Sequence, residues 1–345
     1  MAHEIEKFDR TVFGSGKAAW HGLGTVIHGA LSAGQAIDLA NLGWEVNLEK
    51  LLIKSGEFTG ATMQVPGWFA TVRNDLPNDE PARVLGCVRS AYRPIQNRDA
   101  FGIADALLGE GVQFETAGSL RNGKITWMLT RKTDALLIKD DKVGQYLLIT
   151  NAHDGTRALR VLFTPIRVVC MNTLRWAMSG AKNSVKIRHT GDVAGQVLQA
   201  RQILGIANIY FQKYATMATS LTEFHVSELF ARDYVSDLWP MTESKSGITR
   251  ATRDHENVLD LFQGKQNGGD MEAIRGTAWG LLNAVGQYVD HATPTNTRGR
   301  TSQEASFERV MLKGDADFKD RAAQLLLVRT GFVRPTQVFA GAAAN

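Results

Sequence analysis

Apolar and polar positions change rhythm partway along the chain. In the first half they come in short runs with strand-like composition. WEVNLEKLLI (44–53), GATMQVPGWFATVR (60–73) and RVLGCVRSAYRPI (83–95) are rich in β-branched and aromatic residues. Gly, Pro, Asn and Asp separate them, which predicts a meander of antiparallel strands. AGQAIDLAN (33–41) has helical spacing with Ser32 placed to cap it, and NRDAFGIADALLGEG (97–111) reads as a second helix with Asn97 as its candidate cap. Asn122-Gly123 between two apolar runs predicts a hairpin, because both residues tolerate the left-handed backbone that a tight turn needs. A further hairpin is expected to turn at Asp154-Gly155.

After Thr190-Gly191 the spacing becomes helical. Val193, Val197, Ala200, Leu204, Ala207, Phe211, Tyr214, Ala218 and Leu221 fall at alternating steps of four and three, a heptad rhythm that predicts one long helix over 192–221. Such a seam either braces the chain's own core or packs against another copy. In the second case Val197, Leu204, Phe211 and Tyr214 are the oligomer contacts. More helical patterns follow near 222–232, 250–263, 271–290, 303–313 and 318–330, interrupted by a polar, Thr-rich loop at 290–304 that carries Arg298 and Arg300. The expected fold is α+β: a strand-rich N-terminal half with an antiparallel meander and hairpins, then a long helix and an α-helical C-terminal half. The expected domains are 1–190 and 191–340.

Composition narrows the class only a little. At 345 residues, 44% hydrophobic and 21% charged, the chain is an ordinary globular protein. No apolar run approaches the roughly 18 residues of a membrane span. The opening MAHEIEKFDR is too charged for a secretory signal. Its two cysteines, Cys87 and Cys170, form neither a disulfide framework nor a zinc knuckle. A cytoplasmic protein with reduced thiols and no membrane partner is the expectation.

The net charge of +4 is mild, but its distribution is not even. Between Asp154 and Asp192 stand Arg157, Arg160, Arg167, Arg175, Lys182, Lys186 and Arg188, with no acid among them. Phe163 and Trp176 are interleaved with these cations, while Arg89, Tyr92, Arg93, Arg121, Lys124 and Trp127 occupy neighbouring predicted strands. A cationic groove with aromatic faces is what single-stranded nucleic acid requires. If the stretch is strand, alternation puts its arginines on one face and its apolar residues on the core. Arg298 and Arg300 can add phosphate contacts from their loop.

The same stretch supports a different chemistry. Cys170 with His153 or His189 as base, beside Asp154, is a possible nucleophilic site in an electropositive setting that would lower a thiol's pKa. Against it, IRVVCMNTL resembles a buried strand, where a cysteine is packed rather than reactive. Metal ligation by His153, Asp154 and His189 with His21 or His28 lacks the close local spacing of known sites, and His153-Asp154-Gly155 reads better as a turn. GSGK at 14–17 lacks the rest of a phosphate-binding loop. No cofactor or metal is implied. Trp20 and His21, ahead of two glycines, either pin the N-terminal arm or stack on a base or a neighbouring subunit.

KAAWHGLG, YRPIQNRDAF, ITNAHDGTRALRVLFTPIRVVCMNTLRWA and VKIRHTGDV, in that order, resemble a family of phage- and plasmid-encoded proteins described as a domain of unknown function. The likeness covers most of residues 8–220. It implies a mobile-element setting in a bacterial host cytoplasm and brings no catalytic residue. At the level of architecture, the chain is similar to single-strand annealing proteins, α+β domains that assemble into rings or filaments with DNA in an outer basic groove. Three functions stay open. One is a non-enzymatic, oligomeric protein that binds and anneals single-stranded DNA in recombination or replication. Another is a counter-defence factor or enzyme acting on a nucleotide or protein through His153, Asp154, Cys170 and His189. The last is an interaction protein whose heptad helix only mediates assembly.

Overall fold

The computed structural model describes residues 8–10, 12–13, 25–26, 32–55, 61–107, 112–167, 183–191, 195, 200–293, 305, 308–312 and 315–333. Strands come first and helices after, as the change of rhythm predicts. The chain nevertheless forms two compact units that no single cut near residue 190 separates. Residues 1–133, 147–162 and 184–205 make one unit, and 134–146, 163–183 and 206–345 make the other. The reason is strand length: β9 (Asp141–Ala152) and β10 (Leu159–Arg167) each pass from one unit to the other partway along.

The first unit opens, after the short strands β1 (Val12–Phe13) and β2 (Thr25–Val26), with helix α1 (Ala33–Leu39). Its start is fixed by Ser32, whose hydroxyl accepts from the Gln35 amide while the Gln35 side chain accepts from the Ser32 amide. This reciprocal cap satisfies two donors that the first helical turn leaves open and contributes about 1 kcal/mol. The predicted meander is present as β3 (Val46–Ser55), β4 (Ala61–Arg73) and β5 (Val84–Arg89), paired in that order. Helix α2 (Asn97–Leu107) buries Phe101 and Ala104 as its spacing predicts. Asn97 is not used as a simple cap, however: its side chain joins the polar network described below.

The larger sheet has the order β11-β10-β9-β7-β6-β1-β2, with β6 (Val112–Leu120), β7 (Ile125–Lys132) and β11 (Ser184–Ile187) completing the path and β8 (Leu136–Ile138) paired to β9. β6 and β7 form the hairpin that Asn122-Gly123 predicts, with Arg121, Asn122 and Gly123 all at positive φ (58°, 58° and 88°). β9 and β10 flank the second expected turn, where Gly155 has φ 77° and the Asp154 carboxylate accepts from both the amide and the hydroxyl of Thr156. Residues 125–130 and 143–153 are buried at every position, so these strands are covered on both faces.

Helix α3 (Ala200–Glu223) belongs to the second unit from Ile206 onward and is followed there by α4 (Glu228–Leu238), α5 (Lys245–Asp260), α6 (Ala278–Gln287) and α7 (Asp315–Arg329). Ile203, Ala207, Tyr210, Phe211, Tyr214, Ala218 and Leu221 of α3 are all buried, while Gln212, Lys213 and Thr216 face solvent. Phe163 lies 5.9 Å from Tyr210 and 6.3 Å from Phe211, ring centre to ring centre, and Trp279 lies 6.2 Å from Tyr214. From Ala207 to Leu221 the heptad seam is therefore core. Phe211 and Tyr214 are covered by their own chain and are not oligomer contacts, because aromatic rings from β10 and α6 already fill the space a partner helix would take. Leu204 belongs to the same helix, and Val197 lies outside the described residues.

Polar anchors hold this core in register. The Trp279 indole donates to the Asp141 carboxylate at 2.9 Å, and the Asp140 carboxylate accepts from the Glu272 and Ala273 amides at 3.0 Å each. Burial and a 2.6 Å bond to Asp254 push the Tyr288 phenol up to about 12. Among the described residues, no helix is long and apolar enough to cross a membrane. Phe211→Ala should lower stability by about 3–5 kcal/mol in urea unfolding, the range for emptying a buried aromatic site. It should leave the native mass unchanged. A drop in mass with little loss of stability would restore the seam to an interface.

Candidate functional site

The outer face of the strand pair β10–β11 is where the acid-free stretch becomes a surface. The two strands run antiparallel with Leu159 opposite Ile187, Arg160 opposite Lys186 and Val161 opposite Val185. Leu159, Val161 and Ile187 are buried, whereas Lys186 and Arg188 are exposed and Arg160 is half-buried. Alternation holds along β11, where Lys186 is outward of buried Ile187, whereas β10 is buried at every position from Val161 to Ile166. Two like charges directly opposite each other are unfavourable in isolation and favourable beside an anion. Half-buried Arg157 stands just before β10, and both it and Arg160 engage other groups of the protein. Arg167 ends β10.

Other residues of the expected groove are placed elsewhere. Trp127 is 1% exposed in the middle of β7, so its ring is part of the core and cannot stack on a base. The alternation that predicts a free face does not apply there, since β7 is covered on both sides. Arg175, Trp176, Lys182, Cys170, Arg298, Arg300, His21 and His28 lie outside the described residues.

A buried polar network in the same unit draws on residues that sequence reasoning left unmarked. Arg73, at the end of β4, has a side chain with no exposure. Its Nε and Nη2 donate to the two oxygens of Asp75 at 2.8 and 2.9 Å. Nη2 and Nη1 also donate to Asp9 at 2.7 and 3.2 Å, and Nη1 to the Asn122 carbonyl at 3.1 Å. All five guanidinium N–H groups are then satisfied. The Asp9 carboxylate is equally occupied, accepting two bonds from Arg73, one from the Trp44 indole at 3.2 Å and one from the Ser119 hydroxyl at 2.6 Å. The Arg73 guanidinium sits 4.3 Å over the Trp44 ring. Gly123 closes the arrangement, since a Cβ there would come within 2.7 Å of Arg73 Nη1 and 2.9 Å of the indole. The one signal available in the sequence was the Asn122-Gly123 turn, which marks the place but not the arginine beneath it.

Next to this network the fold brings His153 and His189 into electrostatic contact. Asn97 Nδ2 donates to the Leu42 carbonyl at 2.9 Å, which orients its amide oxygen toward Thr126 Oγ1 and His153 Nε2, each at 2.9 Å. With that oxygen an acceptor, His153 carries its proton on Nε2. His189 Nδ1 lies 3.3 Å from the Arg93 carbonyl and is likewise the donor, and its ring stacks on Tyr92 at 4.7 Å. Tyr92 reaches back to the Ala152 carbonyl, and Asn151 donates to the Ile95 carbonyl. The other ring nitrogens, His153 Nδ1 and His189 Nε2, are buried without a hydrogen-bond partner among the described residues. Burial first, then His189 and Arg73, push His153 down to about 3. Burial also lowers His189, against the raising effects of its Arg93 bond and of Asp154.

His153 is 0% exposed and His189 5%, so neither ring meets a solute in this structure. Among the described residues, no group of three or more His, Cys, Asp or Glu side chains is placed to hold a metal ion. The arrangement is suited to fixing β9, α2 and the 92–95 segment to one another as neutral, directional contacts.

Two outcomes are expected. Arg73→Leu, which leaves Asp9 buried without its counter-charge, should cost about 3–5 kcal/mol by urea unfolding. A histidine whose pKa falls on folding favours the unfolded chain as pH drops below the unfolded value. The contribution is intact above about pH 6.5 and is lost progressively toward the folded value near 3. From His153 alone the protein should be about 1 kcal/mol less stable at pH 5.5 than at pH 7, and His153→Gln should remove that share. An unchanged difference in the variant would show that the ring is not held neutral.

No curated protein and no solved structure matches the chain. A family model described as Domain of unknown function (DUF932) matches residues 84–311. That span holds the cationic strand pair and both histidines, while Asp9, Trp44 and Arg73 precede it. With more than half of its length matched, the chain belongs to the DUF932 family.

Proposed function

We propose that the chain binds single-stranded DNA along the outer face of β10–β11, in the mobile-element setting that its resemblance to phage- and plasmid-encoded proteins implies. The observation that carries this reading is the exposure of Lys186 and Arg188 on either side of buried Ile187, with Arg160 opposite Lys186 in the register. A sugar-phosphate backbone running along this face can take phosphates at exposed Lys186 and Arg188, without any base being read. Assembly is not part of the proposal, because Phe211 and Tyr214 of the expected seam are buried within their own chain.

Chemistry through His153, Asp154, Cys170 and His189 is less well supported. His153 is enclosed, and one oxygen of Asp154 is already occupied by its own turn.

Each cation that neutralises a phosphate releases a counterion, so affinity must fall with salt. For about four to six contacts to a single strand, log affinity against log salt should have a slope of roughly −3 to −4. Replacing Arg160, Lys186 and Arg188 together by Ala should flatten the slope by up to about 2 and weaken every sequence alike. Fluorescence anisotropy with a labelled 40-mer reads this directly. Absence of binding at 50 mM salt, or a slope indifferent to the three changes, would overturn the assignment.

A further inference from the structure

The turn after β5 holds one arginine by a single nitrogen. The Tyr92 amide donates to the Arg89 carbonyl at 2.9 Å, which closes the turn, and the Ser90 amide donates to the Gly67 carbonyl at 3.1 Å, which ties it to β4. Pro94 follows Arg93 and biases it toward extended backbone. The Arg93 side chain folds back over the turn, where Nη1 donates to the Ser90 carbonyl at 3.0 Å and to the Tyr92 carbonyl at 3.1 Å. These bonds fix the plane of the guanidinium without neutralising it. Of its five N–H donors, the three that remain belong to Nε and Nη2. That edge is the one that meets a phosphate through two parallel hydrogen bonds. Arg93 is exposed, and it makes no ion pair among the described residues. Arg89, at the other end of the turn, is engaged differently, with its guanidinium 4.0 Å over the Trp68 ring.

The same residue is joined to the end of the cationic strand. Its amide donates to the His189 carbonyl at 2.7 Å, and His189 Nδ1 donates to its carbonyl at 3.3 Å. His189 directly follows exposed Arg188, so the backbone of Arg93 lies next to the stretch that carries Lys186 and Arg188. Tyr92 keeps His189 in place: the two rings stack at 4.7 Å and 10°, and the phenol donates to the Ala152 carbonyl of β9 at 3.1 Å. Asp154 is the acid whose charge reaches His189, and one of its oxygens is taken by the amide and hydroxyl of Thr156. Three exposed cations, one of them with a fixed fork, suit the phosphates of a strand and not the edges of its bases.

We propose that Arg93 is the phosphate fork of the DNA-binding face: its Nε and Nη2 take two oxygens of one phosphodiester of the bound strand, and His189 is the residue that positions it. The proposal rests on the DNA-binding reading above. It adds a contact whose geometry is set before the strand arrives.

The test uses the full chain and a labelled single-stranded oligonucleotide, read by anisotropy across a salt series. Arg93→Ala should weaken binding by about tenfold, the worth of a charge-assisted hydrogen bond, and flatten the salt slope by about 0.7. Arg93→Lys should keep the slope yet recover little of the affinity, because an ammonium keeps the charge and lacks the fork. His189→Asn, whose amide can donate where Nδ1 does, should bind within about twofold of the wild type. His189→Ala should lose what Arg93→Ala loses, and the double variant should lose no more. If His189→Ala fails to fold by circular dichroism, the Arg93 variants and His189→Asn still decide the matter. Arg93→Lys equal to the wild type overturns the fork. Losses that multiply in the double variant, or a His189→Asn protein as weak as Arg93→Ala, overturn the positioning role. Inorganic phosphate that displaces the strand as well as unlabelled strand does, at equal phosphate concentration, assigns the fork to a free anion and overturns the proposal. Binding that falls when Lys186 and Arg188 are replaced but ignores Arg93→Ala sinks the fork alone. No binding by the wild type at low salt sinks both readings.

Discussion

A guanidinium with no access to water sets the terms for the first unit. Arg73 cannot be left short of a single acceptor, because a buried unpaired charge costs several kcal/mol. Five acceptors therefore have to arrive from separate stretches of chain: Asp9 from the N-terminal arm, Asp75 from the end of β4 and the Asn122 carbonyl from the β6–β7 turn. Trp44 and Ser119 then complete Asp9, and Gly123 leaves the room that the indole and the guanidinium need. Two ion pairs on one guanidinium, with Asp9 and Asp75, thus tie the arm, the meander and the larger sheet into one arrangement. Their net worth lies in specificity, since the same volume filled with aliphatic side chains could be as stable without demanding these partners.

The two histidines follow from that enclosure. In open water each would titrate near neutrality, and with a cysteine nearby they invite a catalytic reading. Inside the network each is fixed by one acceptor, Asn97 Oδ1 or the Arg93 carbonyl, and burial disfavours the charged form of both. Residue types that resemble a reactive constellation in sequence act here as neutral joints between strand, helix and loop. The cationic residues on and just after β11 behave differently, since Lys186 and Arg188 are exposed.

The sequence by itself determined the local events and their order. Ser32 and Gln35 cap a helix, Asn122-Gly123 turns a hairpin, Asp154-Gly155 turns another, and the three β-rich runs pair as a meander, because each depends on backbone preferences within a few residues. Alternation on β11 accords with the exposure of Lys186 beside buried Ile187. Tertiary structure alone decided what covers each apolar face. The heptad of α3 is the same pattern whether Phe163 and Trp279 or a second chain fills its seam, and Trp127 reads as an exposed aromatic until a strand is found covered on both sides. Asp9 and Arg73 stand 64 positions apart with no spacing to link them. Burial is a property of the whole assembled volume, and a one-dimensional pattern carries periodicity but not the identity of the neighbour.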